Sequence, residues 1–231
     1  MATKPSVILI PGWGLTGHSF SWILCQKTRM HLAREYDAYY YDYAEPAILS
    51  ELKRRLENAS APVQLVGFSL GASLAIELTK LYPDTVSRLH LIGYRPSYPS
   101  ATIQAVRQGL FRLKERYLSY FFKACFTESA DYDAFSSQSP SMIAKFNPSR
   151  LEEGLRYLET HEEACPPKTS AAIQLYHGKD DTIAPFQEIW TIDASEKSRA
   201  PQIKIHQSHH GHLPPLSEPI SLNFSEKPSF F

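Results

Sequence analysis

The sequence predicts an α/β protein, with a mostly parallel sheet of about six strands, helices on both faces and a helical insertion. Three observations carry this expectation. Short β-branched or aromatic runs bounded by turn residues recur along the chain, the first four alternate with segments of helical spacing, and one long helical stretch interrupts the alternation.

The runs Ser6 to Ile10, Tyr36 to Tyr41, Val63 to Val66, Leu89 to Ile92, Ala172 to Tyr176 and Ile203 to Ile205 read as strands. Between the first four lie helical segments at roughly His18 to Arg34, Pro46 to Ala59 and Leu70 to Leu81, the last stopping before Pro83. Alternation of this kind argues a parallel sheet, because a parallel crossover needs a helix to return the chain. From Ile92 to Ala172 no strand signal occurs. Within that gap Ile103, Val106, Leu110, Leu113, Tyr117 and Phe121 recur at three- and four-residue spacing, as do Leu151, Leu155 and Leu158. Two amphipathic helices packing on an apolar surface account for the pattern. Their place at the carboxyl edge of the sheet also suits a lid over a site. The expected organisation is therefore one domain over 1–231, with a lid insertion at about 95–168.

Twenty-four basic residues balance twenty-four acidic ones, so net charge gives no reason to expect nucleic acid or an anionic membrane as a partner. The three cysteines, Cys25, Cys125 and Cys165, are an odd number without a CxxC pair, which fits neither a disulfide framework nor a zinc site. The apolar run Val7 to Ile10 is too short for a signal-peptide core or a membrane span. A soluble, cytoplasmic monomer with reduced thiols is expected.

The strongest chemical signal is Val63-Gln64-Leu65-Val66-Gly67-Phe68-Ser69-Leu70-Gly71, a buried strand running through GxSxG into a helix. So tight a turn strains the middle residue, and glycines two before and two after leave room for neighbouring backbone. The serine is held above the sheet, where the helix presents free N–H groups to an oxyanion. A buried serine in a glycine-lined turn explains the same residues without chemistry. A serine hydroxyl becomes a nucleophile when a base removes its proton, so the reading needs a histidine and an acid. Asp180 and Asp181, after the apolar run ending at Tyr176, compete for the acid, although aspartate in such loops is commonly a turn-former. His206, His209, His210 and His212 compete for the base. Four histidines within seven residues would also suit a metal, but they lack the helical HExxH arrangement, and no metal or cofactor is expected.

PGWG near the start, GFSLG, GKDDTIAP and GHLPPLSEP together resemble the BioH-type esterases of the α/β-hydrolase superfamily, in motif order along the whole chain. The resemblance implies the α/β-hydrolase fold and a carboxylesterase that releases methanol from the methyl ester of pimeloyl-acyl carrier protein in biotin synthesis. It implies Ser69 as nucleophile, Asp181 as the acid by its distance from Gly178 and Pro185, and His212 as the base, with His210 next. The oxyanion donors it implies are the backbone N–H groups of Trp13 and Leu70, with Trp13 and Phe68 flooring an acyl pocket. Its substrate is a small acyl ester, borne on an acyl carrier protein. Arg107, Arg112, Lys114, Arg116 and Lys123 line one helix with Glu115 as the acid among them, and Arg112 and Arg116 would meet such an acidic partner. A solvated helix face explains these charges equally well. The chain departs from the pattern at Pro11, where the usual motif has histidine, and at Tyr41-Asp42-Tyr43-Ala44-Glu45 after the second strand. Pro214, Pro215, Pro219 and Pro228 also leave only a short closing helix to be expected. Hydrolysis of other small esters or of carbon–carbon bonds, and a non-catalytic receptor on the same scaffold, remain the alternative readings.

Overall fold

The structure, a computed structural model, describes residues 4–42, 48–137, 148–163, 166–189, 203–215, 217–222 and 224. Six strands form one parallel sheet: β1 (Ser6–Ile10), β2 (Asp37–Tyr40), β3 (Val63–Phe68), β4 (Val86–Ile92), β5 (Ala172–Gly178) and β6 (Ile203–Ser208), in the order β2-β1-β3-β4-β5-β6. The apolar runs of β1, β3, β4 and β5 are buried because neighbours flank them on both sides. At the rim, β2 and β6 are half-exposed, and Ile205 of β6 faces out.

The chain steps one way from β1 to β2 and the other way from β3 onward. Right-handed crossovers therefore send α2 (Gln26–Glu35) to one face, and α3 (Ile48–Glu57) and α4 (Leu70–Leu81) to the other. Ile48 and Leu49 of α3 share a cleft with Leu70 and Leu74 of α4, as that placement requires. The strand order reverses between β1 and β3, and the loops leaving their carboxyl ends diverge there, opening the crevice in which α/β sheets hold ligands.

The single helix expected from His18 to Arg34 is broken into a turn at Gly17–Ser19, α1 (Phe20–Ile23) and α2. Leu24 is extended and forms a parallel bridge with Ile220, while the N–H groups of Cys25 and Ile220 donate to Ile220 O and Ile23 O at 2.9 and 2.8 Å. Cys25 then restarts the helix as its N-cap, its Sγ accepting from Thr28 N. The short closing helix is absent among the described residues. Segment 217–222 instead makes a turn, with Glu218 N donating to Pro215 O at 3.1 Å, and then meets this break at Ile220, where prolines cannot sustain a helical ladder.

After β4 come α5 (Ser100–Ala124), α6 (Ser129–Ser136) and α7 (Pro148–Thr160), with α5 packed on α6 and α7. Leu151, Leu155 and Leu158 are buried as their spacing predicts. The stripe on α5 does not hold throughout: Leu113 has φ −154° and ψ 76°, breaks the helix and is exposed. Beyond this kink the fully buried positions become Leu118, Phe122 and Cys125. The bend lays the Tyr117 ring over Gly109, where a Cβ would come within 2.1 Å of it; a straight helix would hold these residues about 12 Å apart. Arg107 is not part of a free basic stripe, because it pairs with Glu152 and Glu159 of α7 at 2.9 and 3.0 Å. Among the described residues no helix is long and apolar enough to cross a membrane. Cys165 and Tyr43 to Glu45 lie outside the described residues, as does Pro228.

One core residue makes stability depend on acid. His90 of β4 is fully buried, with Gln64 Oε1 3.4 Å from Nε2, the Tyr176 hydroxyl 3.5 Å from Nδ1 and the Phe224 ring 4.8 Å away. Burial, with Arg88 and His206 adding repulsion, pushes its pKa down from 6.5 to about 3. Between those values the unfolded chain binds a proton that the folded chain refuses. The contribution is therefore whole above pH 6.5 and is lost as pH falls towards 3, by up to about 5 kcal/mol. Urea titrations at pH 7 and pH 4 should show this fall, and His90→Gln should flatten it.

Candidate active site

β3 runs straight into α4, and Ser69 occupies the single residue between them. Its φ of 53° and ψ of −118° make it the one non-glycine residue with positive φ among the described residues, a strain of about 1–3 kcal/mol that the turn imposes. The flanking glycines are sterically required: a Cβ on Gly67 would lie 2.4 Å from Gly71 O, and one on Gly71 would lie 2.1 Å from Ile10 O. Ser69 is the N-cap of α4 yet makes no capping hydrogen bond with its side chain, so the hydroxyl is not spent on the helix.

The loop after β1 presses on this turn. A Cβ on Gly12 would come 3.0 Å from Ser69 Cβ and 2.8 Å from the Phe68 ring, so Gly12 lets the Pro11–Gly14 backbone reach the serine. Trp13 follows, with its indole N–H donating to Leu151 O of α7 at 2.9 Å and its ring edge-on to Phe121. Its side chain is buried against the α5–α7 layer, and Phe68 is buried with its ring 5.0 Å from that of His212. Both aromatics are thus buried in the packing around Ser69 and His212. The backbone N–H of Leu70 is the first of α4 and has no acceptor within the helix. Beside it, a cleft of about 170 Å³ is lined by Ile48, Leu49, Leu74, Arg150, Glu153 and Tyr157.

The acid loop follows β5. Asp181 is buried and Asp180 exposed, so only the former faces inward. One carboxylate oxygen of Asp181 accepts the backbone N–H groups of Ile183 and Ala184 at 2.9 and 2.8 Å; the other accepts His212 Nδ1–H at 2.7 Å. Burial alone would raise the pKa of Asp181, but His212, the Ala184 amide and His177 outweigh it and hold the carboxyl below its usual range. The acceptor fixes the His212 tautomer with the proton on Nδ1, leaving Nε2 bare; that atom is buried with no partner among the described residues.

The other three histidines of the cluster go elsewhere. His206 stacks on Tyr176 at 4.5 Å, His209 is exposed, and His210 is buried with Nδ1 donating to Gly211 O at 2.7 Å. Among the described residues no group of three or more His, Cys, Asp or Glu side chains is disposed to hold a metal. Arg112 and Arg116 lie exposed on α5 on either side of its kink, and the described contacts bring neither to Ser69 or His212.

Three supports escaped the sequence reading. The end of α5 holds the histidine loop, with Leu213 N donating to Cys125 O at 2.9 Å. Gly93, at φ +56°, stands where a Cβ would lie 3.0 Å from His212 Cε1. His177 is buried 3.7 Å from Asp181, and burial pushes its pKa down, as it does for His210, so that both rings stay neutral beside the pair. Gly93 alone left a sequence signal, as a glycine directly after a buried strand.

No family model matches the chain. It is similar to the pimeloyl-[acyl-carrier protein] methyl ester esterase of Nitrosomonas europaea, 24% identical over 239 aligned positions that span 93% of this chain and 91% of that protein. The protein of the same description from Chromobacterium violaceum is 25% identical over 203 positions, 79% of this chain and 78% of the relative. Among solved structures, a putative non-heme bromoperoxidase, BpoC, from Mycobacterium tuberculosis superposes with a TM-score of 0.71 at 18% identity, covering 92% of this chain and 87% of that one. An esterase from Exiguobacterium antarcticum gives 0.69 at 15% identity, covering 92% and 86%. Sheet order, the strand–serine–helix turn and these likenesses together show the α/β-hydrolase fold, and the sequence is similar to the pimeloyl-carrier ester esterases named here.

Proposed function

We propose that this protein is a serine carboxylesterase that cleaves the methyl ester of an acyl chain borne on an acyl carrier protein, pimeloyl being the favoured chain. The observation that carries the esterase reading is the buried Asp181–His212 pair with its bare Nε2, set beside a serine whose hydroxyl no helix cap consumes. In this reading His212 Nε2 takes the Ser69 proton as the hydroxyl attacks the ester carbonyl. The N–H groups of Trp13 and Leu70 receive the oxyanion. His212 then passes the proton to the departing alcohol, and a water repeats the sequence to release the acid. Helices α5 to α7 act as a lid over the crevice, and the cleft beside Leu70 takes the acyl chain against Ile48, Leu49 and Leu74.

The substrate assignment draws on the likeness to the curated esterases, and it is supported by Arg112 and Arg116, which have no ion-pair partner among the described residues. An acidic carrier would be drawn to these charges. Complementation of a biotin-requiring strain that lacks its pimeloyl ester esterase tests the whole assignment: growth with the wild-type chain and none with Ser69→Ala is expected, and no growth with either rejects this substrate. Reversal of both arginines to glutamate should cut turnover of a carrier-borne ester by about tenfold or more while a small aryl ester is spared. Equal loss on the two substrates would count against the carrier.

A further inference from the structure

The strand leaving the sheet beside the nucleophile brings a group that the triad does not include. Ser69 N–H donates to Ile92 O at 2.8 Å, so β4 ends against the serine, and the next residue, Gly93, lies against the His212 ring. The chain then passes Arg95, a buried cation tied to the segment that follows β5. Its Nη1 donates to Ile183 O in the acid loop at 3.1 Å, and its Nε donates to Glu188 at 2.6 Å. Its guanidinium stands 4.8 Å from the ring centroid of Tyr98, a cation–π contact that fixes the ring. So held, the Tyr98 hydroxyl comes within hydrogen-bonding reach of the Ser69 hydroxyl. Burial, with Asp181 nearby, pushes the phenol pKa up to about 12, which keeps it a protonated donor at any working pH.

We propose that Tyr98 is a further catalytic residue, whose phenol donates a hydrogen bond to the oxygen of the leaving alcohol and then to the water that replaces it. The proposal rests on the serine-esterase reading above. In the tetrahedral intermediate the Ser69 oxygen and the leaving oxygen are bonded to one carbon, so a donor within reach of the first stands beside the second. When the intermediate collapses, the carbon–oxygen bond breaks and its electron pair goes to the leaving oxygen. The proton that neutralises it comes from the His212 imidazolium, and Tyr98 keeps its own. This hydrogen bond strengthens as charge grows on that oxygen, so it favours the transition state over bound ester. A basic alkoxide such as methoxide gains most from it, and a weakly basic aryl oxide gains least.

The test compares kcat/KM of the full chain and of Tyr98→Phe on a methyl ester and a p-nitrophenyl ester of one acyl chain, butyrate. Phenylalanine keeps the ring under Arg95, and thermal melting run in parallel reports whether the fold is kept. The methyl ester should lose about 10- to 100-fold and the aryl ester roughly tenfold less, which shifts the ratio between them. An unchanged ratio, whether both rates fall or neither does, overturns the role of Tyr98 and leaves the esterase reading intact. A wild-type chain that hydrolyses neither ester and takes no fluorophosphonate on Ser69 overturns both.

Discussion

Replacing Ser69 by alanine is expected to lower kcat/KM for ester hydrolysis by about 10⁴- to 10⁶-fold, the largest loss any single substitution in this chain should produce. The size follows from what is removed. Without the hydroxyl no acyl-enzyme forms, and water must attack a bound ester directly, aided only by binding and by the oxyanion donors that persist. Folding should survive the change: the strained φ of 53° belongs to a turn set by Gly67 and Gly71, and the serine side chain takes no part in capping α4. Steady-state rates on a butyrate ester, read beside a melting curve, check both halves. Retained turnover in the alanine variant would mean that the reaction does not pass through Ser69.

Asp181→Asn should cost about 10³- to 10⁴-fold, through the histidine's tautomer. The oxygen that accepts from the Ile183 and Ala184 amides, at 2.9 and 2.8 Å, must remain an oxygen, since an amide NH₂ there would meet two N–H groups. The asparagine nitrogen is therefore turned towards His212 Nδ1, where it donates, and the ring responds by carrying its proton on Nε2. A protonated Nε2 cannot accept from Ser69. The adjacent Asp180 is exposed, and Asp180→Asn should change kcat/KM by less than about threefold. Because Asp181 titrates below its usual range, the carboxylate stays charged through mildly acid conditions, and the acid limb of the pH–rate profile should not report its protonation. Equal losses for the two asparagine variants would contradict the assignment of the acid.

The sheet was legible in the sequence because each central strand is a short apolar run between turn residues, and burial of both faces demands such a run. The turn at Ser69 was legible for a local reason: two glycines at fixed distance admit backbone that comes within 2.4 Å of a Cβ position, a need that few other turns have. Choices between near neighbours were harder. Asp180 and Asp181 differ only in which side of a turn they occupy, and His210 and His212 share a loop whose backbone sends one ring to Gly211 O and the other to Asp181. Composition carries none of that, and motif spacing carries only part.

What the sequence withheld was decided over long range. The break at Leu24 exists because Ile220 pairs there, and local spacing around residue 24 remains helical. The kink at Leu113 lets Tyr117 close on Gly109 and puts the apolar stripe out of register. Arg107 looked like one cation of a docking face, but two glutamates of α7 lie against it. The part Arg95 plays beside Tyr98 likewise depends on Ile183 and Glu188, which only the fold brings near.

The central claim is that Ser69 is a nucleophile activated by His212. Intact-mass analysis and peptide mapping after incubation with a fluorophosphonate measure this most directly. One adduct per chain, on the peptide containing Ser69, is expected in folded protein, with labelling slowed by about 10³-fold or more in His212→Gln and absent in Ser69→Ala. No adduct on the wild-type chain, or an adduct whose rate ignores the loss of His212, would contradict it.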